Sequence, residues 1–307
     1  MNEQLLQPYL PEDLDQFWQA IQSEAESAPL DYSRRQAEHP PPDGLRVARL
    51  DFRGVDGKPL SGWIAHPREM SGRMPAFLWL PAYGRWSHLP DEYSTRPGMV
   101  SMSFNIHGLD AFHREEYTPS RGYFAEGIES PETWVMRKHA LNTLLAMRVL
   151  EAQSEADESR LAVGGMSQGA GFAIWAGAWS KRVKCVVADM PFLSAMRHVF
   201  ALPVYRYPLK EVADFAETIP LGMERVIHTI SYFDTMNLAT RCSRPTQVSL
   251  GMRDPAVKPE AARAVYNALA TDVKRLIEYP GGHDWDAEMV ERNLEWMNNH
   301  LKTKNSE

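Results

Sequence analysis

A short apolar run, Leu161-Ala162-Val163, ends in Gly164 and is followed at once by Gly165-Met166-Ser167-Gln168-Gly169 and a stretch of small residues. This pentapeptide constrains the fold more than any other part of the chain. A serine with glycine two residues away on either side suits a strand that turns into a helix within one residue, where side-chain bulk would collide across the turn. The hydroxyl is then pushed out of the backbone at the strand's carboxyl end, as a nucleophile must be. Gly164 to Gly171 also looks superficially like a phosphate-cradling loop, but it has neither the lysine of a P-loop nor the GxGxxG register, and it lies too late in the chain for a dinucleotide-binding first turn.

The surrounding pattern supplies the sheet that such a turn requires. Ala48, Leu50 and Phe52 alternate with Arg49, Asp51 and Arg53, and Asp56-Gly57 separates them from the run Leu60 to Ala65, which predicts an antiparallel hairpin of one-sided strands. Further strands are expected over Ala76 to Leu80 and from Val100 to Ile106, then at Val183 to Ala188, Gln247 to Leu250 and Arg275 to Tyr279. Helices are expected from Pro11 onward, capped at its start, with Leu14, Trp18 and Ile21 on one face, and again over Trp134 to Arg148 and Val290 to Leu301. A further helix is expected between the last two strands, carrying Ala261, Val265 and Leu269. About eight strands, antiparallel at first and then alternating with helices, make a single α/β domain: a mostly parallel sheet covered on both faces. Two additions are expected, an N-terminal helical extension over about 11–27 and a helical insertion over about 191–241. Ala111 to Pro131 has no period, and a loop of that length is usually functional or buried in an interface.

Charge and cysteine usage exclude whole classes of function. With 307 residues, 44% of them hydrophobic, and a net charge of −7, the chain has a large core and no basic stripe with which to bind nucleic acid or an anionic membrane. The segment Met1 to Pro8 has neither a basic start nor an apolar run, so a cytoplasmic location is expected. Cys185 and Cys242 fit no disulfide framework or metal spacing and read as free thiols, the first in an apolar run.

A nucleophilic serine needs an imidazole to take its proton and a carboxylate to fix that imidazole's tautomer. Asp254 follows the strand ending at Leu250, and His283 in Gly281-Gly282-His283 follows the strand ending at Tyr279. The resulting order of serine, aspartate and histidine is the one α/β-hydrolases use. Asp189, at the end of another strand, is the rival acid. The oxyanion donors are expected to be the amide of Gln168, at a helix N-terminus, and that of Tyr83 in the loop after the third strand. Tyr83, Trp86, Pro191 and Phe192 are candidate walls of a small acyl pocket. His107 and His113 lack a third ligand, and neither a metal nor a cofactor is expected.

These residues, together with Pro11 to Trp18, Phe52 to Gly57, Gly122-Tyr123 through Gly127-Ile128 to Thr133, Ala188 to Leu193 and Tyr232-Phe233-Asp234 to Ala239, resemble the acetyl xylan esterase and cephalosporin C deacetylase family of carbohydrate esterases. The resemblance spans nearly the whole chain. It implies an α/β-hydrolase fold, a triad of Ser167, Asp254 and His283, oxyanion amides at Gln168 and Tyr83, and deacetylation of small acetylated sugars. It also implies a homo-oligomer, a hexameric ring whose sites face an inner chamber. Three positions depart from the family's pattern: His107-Gly108-Leu109 stands for Arg-Gly-Gln, Pro81-Ala82 for His-Gly, and Asp284 for a glutamate. The first two are expected to alter the pocket side of the site. A serine peptidase of the prolyl-oligopeptidase kind and a non-catalytic binding protein on the same scaffold remain the other readings.

Overall fold

The computed structural model describes residues 3–38 and 41–302. Nine strands form one sheet: β1 (Tyr32–Gln36), β2 (Leu45–Arg53), β3 (Pro59–Pro67), β4 (Met74–Leu80), β5 (Val100–Asn105), β6 (Ala156–Met166), β7 (Val183–Asp189), β8 (Thr246–Gly251) and β9 (Lys274–Tyr279), in the order β1-β2-β3-β5-β4-β6-β7-β8-β9. The pairings from β1 through β2 and β3 to β5 are antiparallel, and those from β5 onward to β9 are parallel. Consequently β4 and β6 lie side by side, as do β8 and β9, and each pair delivers its loops to the same sheet end. Ligands of open α/β sheets bind there, outside the carboxyl ends of the strands.

The hairpin of β2 and β3 turns at Gly57, whose φ of 75° favours glycine. β3 is not one-sided, however. Leu60 and Ile64 join the main core while Trp63 and Ala65 pack beneath Ala111 and Phe112, so the start of the unpatterned loop covers the face that the alternation left for solvent. β1 is an additional strand with four exposed residues out of five, held to β2 at the sheet edge. The serines and asparagine alternating along β5 are likewise buried. Two of them serve as anchors: Asn105 donates to Arg85 O at 2.6 Å and Ser87 Oγ at 3.0 Å, and Ser101 Oγ accepts the Arg96 amide at 3.0 Å.

One face of the sheet carries α1 (Leu14–Ser27), α2 (Val135–Glu151) and α3 (Gln168–Trp179), and the other is covered by α9 (Ala287–His300), whose Met289, Trp296 and Met297 meet Phe77, Cys185 and Val187. Leu14, Trp18 and Ile21 are buried together, and Trp18 Nε1 donates to Tyr232 O at 2.7 Å. Asp13 caps no helical amide; its carboxylate instead accepts the Tyr232 hydroxyl at 2.5 Å. Between β7 and β8 run four helices, α4 (Met196–Phe200), α5 (Leu209–Ala216), α6 (Gly222–Ser231) and α7 (Thr235–Ala239), and α8 (Pro259–Ala268) precedes β9. Asp234 knots this insertion to the N-terminal segment. It accepts the amides of Ala195, Met196 and Met236 and the Tyr9 hydroxyl, and its burial raises its pKa to about 6. The Tyr-Phe-Asp segment is thus a structural clasp. Cys185 and Cys242 are both free and buried, and no described helix is long and apolar enough to cross a membrane.

Candidate active site

The turn at Ser167 is as tight as its glycines require. Ser167 has φ 57° and ψ −120°, a conformation that costs on the order of 1–3 kcal/mol in a non-glycine residue and is kept only where the surroundings enforce it. They do so with hydrogen bonds from Ser167 N to Asp189 O (2.8 Å) and to Ser167 O from Gly171 N (3.1 Å) and Phe192 N (3.0 Å). A Cβ at Gly165 would stand 2.5 Å from the Gly169 carbonyl carbon, and one at Gly169 would overlap the carbonyl oxygen of Leu80. Helix α3 is buried almost throughout, so the support behind Ser167 is rigid.

Asp254 and His283 meet because their loops are laced together. Met252 N donates to Tyr279 O (2.8 Å), Arg253 N to Gly281 O (2.9 Å) and Arg253 Nε to Pro280 O (2.8 Å). A side chain at Gly251 would strike the Gly282 carbonyl, which explains the glycine at the end of β8. The Asp254 carboxylate, fully buried, accepts Ala256 N at 2.7 Å and Val257 N at 2.8 Å on Oδ1 and His283 Nδ1 at 2.6 Å on Oδ2. With Nδ1–H committed to the carboxylate, Nε2 is the ring nitrogen left to take a proton. The rival acid is occupied elsewhere. Asp189 binds Ser249 Oγ and Asn293 Nδ2, each at 2.6 Å, stitching β7 to β8 and α9, and its burial raises its pKa.

Ser167 and His283 open onto one cavity of ≈ 960 Å³. Among the described residues no hydrogen bond reaches the Ser167 hydroxyl; such contacts are often long until a substrate is bound. Gln168 N is the first amide of α3, which has no acceptor within its own helix. Tyr83 N likewise has no acceptor among the described residues, so both expected oxyanion amides are unspent. Of the candidate pocket walls, Tyr83, Trp86 and Phe192 line the cavity. Pro191 does not: it is buried behind the serine, where its carbonyl accepts Ser194 Oγ at 2.5 Å. Its place in the chain beside Phe192 is misleading, since positive φ at Met190, just before it, and at Leu193 breaks the regular course of the segment on either side of the pair.

Several lining residues carry no local sequence signal. Trp285 packs edge-on against Trp79 (5.1 Å) and Tyr93 (5.2 Å), and the far wall is made by Leu202, Tyr205 and Tyr207 of the insertion. Tyr117, from the unpatterned loop, donates to Tyr207 O at 3.2 Å, so that loop closes the cavity against the insertion. Of the three departures, Ala82 and Asp284 face the cavity, but His107 does not. It lies beneath the loop after β4 against Tyr123 and His139, and burial, with Arg85 nearby, lowers its pKa to about 4. His88, half-buried in the cavity wall beside Trp79 and Trp86, is pushed to about 3 by the same loss of solvent. No group of three or more potential metal ligands occurs among the described residues.

Comparison with known proteins places this geometry in context. A family model described as acetyl xylan esterase (AXE1) matches residues 4–300. The acetyl esterase Axe7A of Xylanibacter ruminicola is 23% identical over 314 residues, covering 98% of this chain and 70% of that protein. The acetyl xylan esterase from Paenibacillus sp. R4 superposes with a TM-score of 0.86 at 25% identity, over 98% of this chain and 100% of that one. Acetyl xylan esterase 1 from Thermoanaerobacterium sp. JW/SL YS485 has the same fold, with a TM-score of 0.84 at 22% identity over 98% and 99% of the two chains.

Proposed function

The chain belongs to the acetyl xylan esterase family and is a carboxylic ester hydrolase, and from that premise we propose that it removes acetyl groups from acetylated sugars or xylo-oligosaccharides with Ser167, Asp254 and His283 as its triad. The observation that carries this reading is the 2.6 Å His283–Asp254 hydrogen bond at the wall of the cavity onto which Ser167 also opens.

The mechanism has two halves. Ser167 Oγ attacks the acetyl carbonyl while His283 Nε2 takes its proton; the amides of Gln168 and Tyr83 hold the oxyanion, and Asp254 steadies the imidazolium. Collapse breaks the bond to the sugar oxygen, which leaves with the proton from His283. Water then attacks the acetyl-serine by the same path and releases acetate. A cavity rich in flat aromatic side chains suits a sugar ring, whose C–H faces stack on them while its hydroxyls seek the few polar groups. Cephalosporin C as a second substrate and a hexameric assembly belong to the same proposal and rest on family membership.

Acetate release from acetylated xylo-oligosaccharides and from p-nitrophenyl acetate tests the reading. Wild-type protein should release acetate from both, and Ser167→Ala from neither while keeping its folded far-UV spectrum. Hydrolysis of the nitrophenyl ester without any of the sugar acetates would remove the sugar from the proposal.

A further inference from the structure

The two oxyanion amides come from different strands, Tyr83 after β4 and Gln168 after β6, and a single buried phenol joins the segments that bear them. Tyr123 Oη accepts Gly84 N–H at 3.1 Å and lies 3.2 Å from Gln168 Oε1. A phenol has one proton to give, and since the Gly84 amide is itself a donor, that proton goes to Gln168 Oε1. Tyr123 therefore spans the residue after one oxyanion donor and the side chain of the other. Its ring stacks on Tyr83 at 4.9 Å and meets His107 edge-on at 4.2 Å. Its backbone is pinned on either side by one carboxylate of the insertion: Glu211 Oε2 accepts Gly122 N at 2.7 Å and Oε1 accepts Ala125 N at 3.1 Å. Burial raises the phenol's pKa, so it keeps its proton.

We infer that Tyr123 is a positioning residue that fixes the spacing of the oxyanion amides of Tyr83 and Gln168. It touches no reacting atom, and it matters only if the esterase reading above holds. Oxyanion donors act through prior alignment with charge that develops in the transition state. Loosening their spacing therefore lowers the rate of the chemical step and leaves ground-state binding alone.

The test compares wild type with Tyr123→Phe, which removes only the hydroxyl, and with Gln168→Leu, which removes the acceptor from the other side. For p-nitrophenyl acetate, each single change should lower kcat by about 10- to 100-fold with KM unchanged, short of the loss expected from deleting a donor outright. Inactivation by a fluorophosphonate, which also builds charge on an oxygen in that hole, should slow in parallel. The double variant should be no slower than the worse single variant, because both cut one linkage. A Tyr123→Phe enzyme within about twofold of wild type in kcat and inactivation rate, or one altered in KM alone, would overturn the inference. Should Tyr123→Phe fail to fold, Gln168→Leu decides by the same two readouts. Wild-type protein that neither hydrolyses the ester nor reacts with the fluorophosphonate would instead bring down the esterase reading itself.

Discussion

The two sides of the cavity are built by opposite means. On the strand side, Asp254 accepts three hydrogen bonds, the loops after β8 and β9 are tied by three more, and the turn at Ser167 leaves no room for a Cβ at Gly165 or Gly169. On the insertion side, Leu202 and Tyr205 are 43% and 79% exposed, and Tyr117–Tyr207 is a single long hydrogen bond at the surface. Chemistry needs groups held within fractions of an ångström, and groups on strand ends and helices are placed more accurately than groups on exposed loops. Substitutions on the two sides should therefore fail in different parameters.

The sharpest way to break that contrast is Asp254→Asn. The shape is nearly conserved, but with its oxygen kept by the amides of Ala256 and Val257 the asparagine turns its NH2 to His283 Nδ1 and donates to it, which places the ring proton on Nε2, the wrong tautomer for a base, so kcat should fall by about 10⁴-fold with KM little changed. Steady-state kinetics on p-nitrophenyl acetate decide it; a loss under about tenfold would mean that another group orients the histidine.

Behind the strand side, buried imidazoles make the packing sensitive to acid. His107 has a folded-state pKa of about 4, below its ordinary value, so as pH falls below about 6.5 the unfolded chain takes up a proton that the folded chain refuses. The contribution is intact above that pH, and it is lost progressively until about pH 4. His107→Leu should flatten this part of the pH dependence, so that melting temperature drops less than in wild type between neutral pH and pH 5. Parallel curves for the two proteins would show that His107 is already protonated or is exposed.

On the insertion side the effects should be the smallest. Tyr205→Ala removes one aromatic contact worth about 0.5–1.5 kcal/mol, so KM for an acetylated xylo-oligosaccharide should rise by about two- to tenfold with kcat and melting temperature unchanged. A fall in kcat instead would show that this wall takes part in aligning the ester.

The same contrast governs what was legible in the sequence. The elbow, the hairpin at Asp56-Gly57 and the acid and histidine at the ends of β8 and β9 could be read because each is a local rule: a sterically enforced turn, or a polar residue just past an apolar run. β1 was not, because an exposed edge strand of sequence Tyr-Ser-Arg-Arg-Gln has no apolar alternation to betray it. The burial of the second face of β3 depends on Ala111 and Phe112 arriving from a distant loop. Trp79, Tyr205 and Trp285 come together from three unrelated segments, and only Phe192 of the pair Pro191-Phe192 reaches the cavity. The insertion-side wall is a product of tertiary approach, which no local pattern encodes.

Trapping the acyl-enzyme tests the central claim most directly. Protein mixed with p-nitrophenyl acetate, quenched in acid within the first turnovers and digested should yield the peptide containing Ser167 heavier by one acetyl group, and the Ser167→Ala protein should yield no acetylated peptide. An acetyl group on any other residue, or full turnover by the Ser167→Ala protein, would contradict the account.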